Sequence, residues 1–124
     1  MFGILGREAQ HLFAIYYRLT QTVSHLDNSV FRFLFIGRVM KEKGVDELLE
    51  SMGRLISEGV QCSLDILGNL EEDYKDRLDT AVHDGWLRYY GQRSDVRPFI
   101  AACDCFVLPS YHEGMANTNL ECIS

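Results

Sequence analysis

The spacing of hydrophobic positions changes several times along this chain, and each change marks an element. From Val30 the run Phe31–Ile36 (F-R-F-L-F-I) is almost wholly apolar, the pattern of a strand covered on both faces in a parallel sheet. Val45 to Ser57 then carries Val45, Leu48, Leu49, Met52, Leu55 and Ile56 at helical spacing, with Gly59 as the stop. Leu64–Leu67 predicts a second strand that ends at Gly68, and Glu71–Val82 a polar amphipathic helix with Gly85 beyond it. A third short strand, Leu87–Tyr90, ends at Gly91, and Val96–Ala102 reads as a short helix. Cys105–Leu108 is a fourth strand, apolar but too short for a helix. Pro109 closes it, because proline cannot donate to a ladder. The chain then turns through Ser110 to Gly114, and a helix is predicted to begin near Ala116 or Asn117.

Strands that alternate with helices, each strand ending at a Gly or Pro turn, point to an α/β fold with a parallel sheet flanked by helices. The first 29 residues have another character. Phe2, Leu5, Ala9, Leu12, Phe13, Tyr16, Leu19 and Val23 recur at helical spacing and predict a helix over Arg7–Val23, while Asp27, Asn28 and Ser29 read as a linker. The chain therefore divides into residues 1–29, helix and linker, and residues 30–124, the α/β domain. The aromatic-rich face of the first helix has three readings: packing on its own domain, covering a surface met by a partner domain, or a peripheral membrane contact. Packing on its own domain is the plainest of them.

Composition narrows the function classes. A chain of 124 residues is one domain by length. Its net charge of −6 argues against a general nucleic-acid binder, which needs a basic face, yet leaves room for a local basic pocket. Cys62, Cys103, Cys105 and Cys122 form no C-x-x-C pair and have no His at ligand spacing, so they read as small buried thiols. The longest apolar stretch, Leu12–Tyr17, is far too short to span a bilayer. Together these favour a reducing, cytoplasmic setting.

The candidate chemistry gathers where strands end. Glu113 and Glu121 frame the last turn with seven residues between them. If every step were helical they would stand about 12 Å apart, too far to share a proton and better suited to a long ligand touched twice. The plain alternative makes Glu113 a loop carboxylate and Glu121 a solvated helix residue. His112, beside Glu113, reads as a loop residue rather than a base. Exposed amides at a helix start attract anions, and open α/β sheets bind ligands at the carboxyl ends of their strands. Gly37, Arg38 and Lys43 follow the first strand at that same edge. Arg grips phosphate bidentately and Lys adds a compact charge, so this turn suits a diphosphate.

Three segments carry a resemblance. L-P-S-Y-H-E-G-M-A-N-T-N-L-E resembles the Glu-x7-Glu signature of the retaining glycosyltransferases of family 4, also called glycosyl transferases group 1. F-I-G-R-V-M-K-E-K-G-V-D-E-L-L-E resembles that family's G-R-x-x-x-x-K-G segment, and R-Y-Y-G-Q-R-S-D-V-R-P-F-I-A-A-C-D-C-F-V-L-P-S its strand-loop-helix-strand lead into the signature. The matches run in one order from Phe31 to Ser124.

The resemblance implies a Rossmann-like C-terminal domain, incomplete at its own C-terminus, of a two-domain GT-B glycosyltransferase. Its activity would be transfer of a sugar from a nucleotide diphosphate to an acceptor hydroxyl with retention, in bacterial polysaccharide or lipid-linked glycan assembly at the cytoplasmic face of the membrane. Arg38 and Lys43, with Gly37, would hold the diphosphate; Lys41 has no counterpart. Gly91, Gln92 and Arg93 would lie near the base. Glu113 would meet donor-sugar hydroxyls, as nucleophile or as positioning group, and Glu121 the ribose. Backbone amides of Gly114, Met115, Ala116, Asn117 and Thr118 would face sugar and phosphates. No metal or other cofactor would be needed, and the acceptor glycan would be held by an N-terminal domain not in this chain. Departures from the pattern are Asn69 and Leu70 where a second glycine is common, Ala116 where a proline is common, and the polar Asn117, Thr118 and Asn119. Because Ser124 falls inside the expected helix, the chain reads as a fragment, inactive alone. The rival expectation is a non-catalytic α/β module that binds a nucleotide or a protein.

Overall fold

Strand and helix alternate along the chain, and the structure, a computed structural model, describes residues 14–20, 30–109, 111, 112, 115, 116 and 119–122. Four strands are the expected ones: β1 (Phe31–Ile36), β2 (Cys62–Leu67), β3 (Leu87–Gly91) and β4 (Cys105–Leu108). Three short ones follow, β5 (Tyr111–His112), β6 (Met115–Ala116) and β7 (Asn119–Cys122). The helices are α1 (14–20), α2 (Val45–Ser57), α3 (Lys75–Asp84) and α4 (Arg97–Ala102). Single 3-10 turns, Lys41–Lys43 and Glu72–Tyr74, lead into α2 and α3.

The sheet runs β3-β2-β1-β4-β7, and the first four of these strands are mutually parallel. β1 lies inside the sheet with helices on both faces, which is why Phe33, Leu34 and Phe35 are all buried in succession. One face packs Phe33, Phe35, Leu64, Ile66, Cys105 and Val107 under Leu48, Met52 and Leu55 of α2 and Leu78 of α3. The other packs Leu34, Leu67 and Cys103 against Val96, Phe99 and Ile100 around α4. α1 joins the first face. Ile15 and Leu19 are wholly buried there, and Tyr16, beneath Arg54, donates its hydroxyl to Glu58. Ile15 was absent from the helical stripe that the sequence predicts; the remainder of that predicted helix lies outside the described residues. No helix among the described residues is long and apolar enough to cross a membrane.

The expected helix from Ala116 or Asn117 is overturned. Residues Asn119–Cys122 form β7 and pair antiparallel with β4, from Cys105↔Cys122 to Leu108↔Asn119. Without a neighbour on that side, β4 would leave a row of unpaired amides and carbonyls, and N-L-E-C alternates polar and apolar as an edge strand can. Just before it, β5 pairs with β6 in a separate two-stranded ladder.

A charge sits inside this sheet. Asp65 of β2 is 2% exposed and accepts from Arg88 Nε of β3 at 3.0 Å and from Arg32 Nη2 of β1 at 3.4 Å. Arg32 also fixes the next strand. Its amide donates to the Asp104 carboxylate (2.9 Å), and the Asp104 amide returns a bond to the Arg32 carbonyl (2.7 Å).

A candidate donor site at the carboxyl edge of the sheet

β1, β2 and β3 each end in a glycine turn at the same edge of the sheet, and the ladder continues past them. Gly37 N–H donates to the Leu67 carbonyl (2.8 Å), Gly68 N–H to the Gly91 carbonyl (2.9 Å), and Val39 N–H to the Asn69 carbonyl (2.8 Å). Backbone hydrogen bonds therefore tie the three turns to one another. Gly68 is needed for this closeness. Its φ is +137°, and a Cβ there would stand 1.9 Å from the Gly37 carbonyl oxygen. Behind it, the Tyr89 hydroxyl donates to the Gly68 carbonyl at 2.6 Å. Burial pushes the Tyr89 phenol up from its ordinary value, so it stays a donor through the neutral range.

These turns enclose a cleft of about 430 Å³, within the range of small-ligand sites. Ile36, Leu67 and Val96 give it apolar walls, and Gly37 and Gly68 expose backbone where side chains are absent. Arg38, Asn69, Gln92 and Arg93 supply its polar lining. Arg93 is held by a bond from its Nε to the Tyr90 carbonyl (3.0 Å), with its guanidinium 5.7 Å from the Tyr90 ring centre. Arg38 is more loosely placed, with Nη2 3.9 Å from the Glu71 carboxylate.

Of the residues singled out by sequence, Gly37, Arg38, Gln92 and Arg93 meet in this cleft, and Gly91 bonds to its wall. Lys43 is exposed on the 3-10 turn and is not among the lining residues. That turn leads to Gly44, which lies against Pro109 at the end of β4. The basic segment and the start of the Glu-containing turn thus occupy one edge. Glu113, Gly114, Asn117 and Thr118 lie outside the described residues. Met115 and Ala116 form β6, and Glu121 lies in β7 opposite Phe106, within the ladder rather than on a helix.

Sequence reasoning passed over the β2 turn as a site. Gly68 and Asn69 stood out only as a departure from a pattern, and Glu71 and Tyr89 not at all. The sequence held half of the signal, the glycines, and the strand order supplies the other half. Three consecutive strands end in glycine, and in a β3-β2-β1 order the middle turn must lie between the two flagged ones. Among the described residues no three His, Cys, Asp or Glu side chains are grouped as metal ligands, and Cys62, Cys103 and Cys105 are buried.

With this geometry in place, comparison with known proteins is informative. The sequence pattern of the family described as "Glycosyl transferases group 1" matches residues 30–124. Lipopolysaccharide core biosynthesis glycosyltransferase LpsE of Rhizobium meliloti (strain 1021) is 40% identical over 90 residues, 69% of this chain and 25% of LpsE. Capsular polysaccharide biosynthesis glycosyltransferase CapM of Staphylococcus aureus is 29% identical over 108 residues, 84% of this chain and 28% of CapM. The chain thus spans about a quarter of the length of these relatives. The crystal structure of WaaG, a glycosyltransferase involved in lipopolysaccharide biosynthesis, superposes with a TM-score of 0.56 at 22% identity, over 83% of this chain and 27% of WaaG. That likeness speaks for the fold, the Rossmann-like parallel sheet flanked by helices. By the match over residues 30–124, this chain belongs to the glycosyl transferases group 1 family.

Proposed function

We propose that this chain supplies the donor-binding side of a glycosyltransferase that moves a sugar, with retention, from a nucleotide diphosphate to an acceptor hydroxyl. The setting would be bacterial polysaccharide assembly, as the named roles of LpsE and CapM suggest, or lipid-linked glycan assembly, and its place would be the cytoplasmic face of the membrane. The acceptor glycan would be held by a further domain of the parent protein, and catalysis would need both.

The observation that carries this reading is the cleft itself, where two cations stand over glycine-lined backbone at the carboxyl edge of a parallel sheet. Glycines let a diphosphate approach the main chain, and the exposed Arg38 guanidinium, only loosely paired with Glu71, can turn to it for bidentate contact. Arg93 and Gln92, beside the apolar Ile36 and Val96, suit the nucleoside end. As the glycosidic bond to the diphosphate breaks, negative charge grows on the departing phosphate. Arg38, supported by Lys43, would stabilise that charge in place of a metal ion. Glu113 and the amides of Gly114 to Thr118 are assigned the sugar, and Glu121 the ribose. Those assignments rest on family membership.

The test is a calorimetric titration of the chain with UDP, GDP and ADP, each with and without a chelator, beside Arg38→Ala. One nucleotide should bind, unaffected by the chelator, and about tenfold more weakly to the variant, as expected for loss of charge-assisted bonds at a half-exposed site. Binding that ignores the Arg38 change, or a folded chain that binds none of the three, would refute the donor-site assignment. Dependence on a divalent ion would refute the metal-free one alone.

A further inference from the structure

Glu71 lies where the loop after β2 folds back on the loop after β1. Its amide donates to the Val39 carbonyl at 3.4 Å, one residue beyond Arg38, and its carboxylate stands 3.9 Å from Arg38 Nη2. Arg38 lines the cleft, and Glu71, beside Arg38, is not among the lining residues. Their side chains are 62% and 44% exposed, so the pair is held in water and is easily given up. A diphosphate would offer the same guanidinium more charge and a bidentate fit.

Resting on the donor-site reading above, we propose that Glu71 is a competing carboxylate that sets the affinity of the cleft for phosphate. It holds Arg38 while the cleft is empty and yields it to the diphosphate. When the nucleotide leaves, it takes Arg38 back. Its own negative charge stays beside the bound anion and weakens that hold. Glu71 therefore discriminates by phosphate charge and leaves the contribution of the nucleoside unchanged. A carboxylate that merely oriented Arg38 would do the opposite, since its loss would weaken binding.

The experiment is a calorimetric titration of the full chain and of Glu71→Gln with a nucleoside, its monophosphate and its diphosphate, for uracil, guanine and adenine. Gln keeps the size and reach of the side chain, removes its charge and replaces one acceptor oxygen by an amide donor. The diphosphate should bind the variant about two- to fivefold more tightly, the scale of an exposed ion pair. The monophosphate should gain less and the nucleoside nothing, and the gain should shrink at high salt. In an Arg38→Ala background the gain should also shrink, because only direct repulsion is left to relieve. Weaker or unchanged diphosphate binding, or an equal gain for the nucleoside, would overturn the inference while Arg38-dependent binding kept the site reading intact. Failure of the folded wild-type chain to bind any diphosphate would overturn both.

Discussion

Gly44 and Pro109 touch through their backbones: a Cβ built on Gly44 would stand 1.9 Å from the Pro109 carbonyl oxygen. Gly44 also carries φ +75° at the start of α2, a conformation that L side chains adopt at a cost. Through this contact the basic loop after β1 is set against the end of β4. Gly44→Ala should therefore destabilise the fold by about 3 kcal/mol, combining left-handed strain with a backbone clash that must be relieved by movement. Gly53→Ala is the control. Nothing lies within 4 Å of a Cβ at Gly53, inside α2, so the change should stabilise by about 0.5–1 kcal/mol. Urea unfolding of both variants checks the pair; a cost at Gly44 no greater than zero would show the contact to be slack.

The buried Asp65 should be expensive to remove. Breaking a buried ion pair costs about 3–5 kcal/mol, because the remaining charge is left without its partner. Here Arg32 and Arg88 are 33% and 51% exposed and can turn to water, so Asp65→Ala should cost about 2–3 kcal/mol. Arg88→Ala should cost clearly less, since Asp65 then still keeps Arg32. Equal losses in the two variants, measured by denaturant midpoint, would mean that the carboxylate does not bind its two neighbours as a unit.

Stability should fall in alkali. Burial pushes the Cys62 thiol from its ordinary value of 9.0 up to about 11, and raises the Tyr74 phenol as well, with help from a hydrogen bond to Asp46. Below pH 9 both folded and unfolded chains keep the Cys62 proton. Between pH 9 and 11 the unfolded chain has released a proton that the folded chain still holds, so each step up in pH favours unfolding. Cys62 alone should withdraw about 2–3 kcal/mol over that window. The stability lost between pH 8 and pH 10.5 should be smaller for Cys62→Ala than for the wild type; equal losses in the two would assign the effect elsewhere.

Much of the fold was legible in the sequence because a covered parallel sheet writes itself plainly. Phe31–Ile36, Val45–Ser57 and Cys105–Leu108 were read with the bounds they have, since each is apolar at one clear period and stopped by Gly, Pro or a charge. Glu71–Val82 was read as one helix, but a 3-10 turn precedes α3, which runs on to Asp84. The failure at Ala116 has a different cause. The alternation in N-L-E-C is only four residues long, and whether the segment coils or pairs is decided by the open edge of β4, a tertiary fact that local spacing does not hold. The site was half legible for the same reason. Arg38 announces itself by charge and by following a strand, whereas Gln92 and Arg93 come only from the family resemblance. Asn69, Tyr89 and Glu71 matter through neighbours that only the β3-β2-β1 order supplies.

Arg32 is bonded to Asp65, 33 residues away, and to Asp104, 72 residues away. Doubling the length of a closed loop adds only about 0.6 kcal/mol of entropy cost. One hydrogen bond to a carboxylate is worth about 1.5–3 kcal/mol when formed away from bulk water. The backbone of Arg32 and Asp104 forms two bonds at the mouth of the β1–β4 pairing, one of them to a carboxylate. Recruiting the distant fourth strand is therefore scarcely harder than recruiting the second. The same bonds choose its register, because sliding β4 by one residue would turn Cys105 and Val107 out of the core and break both at once.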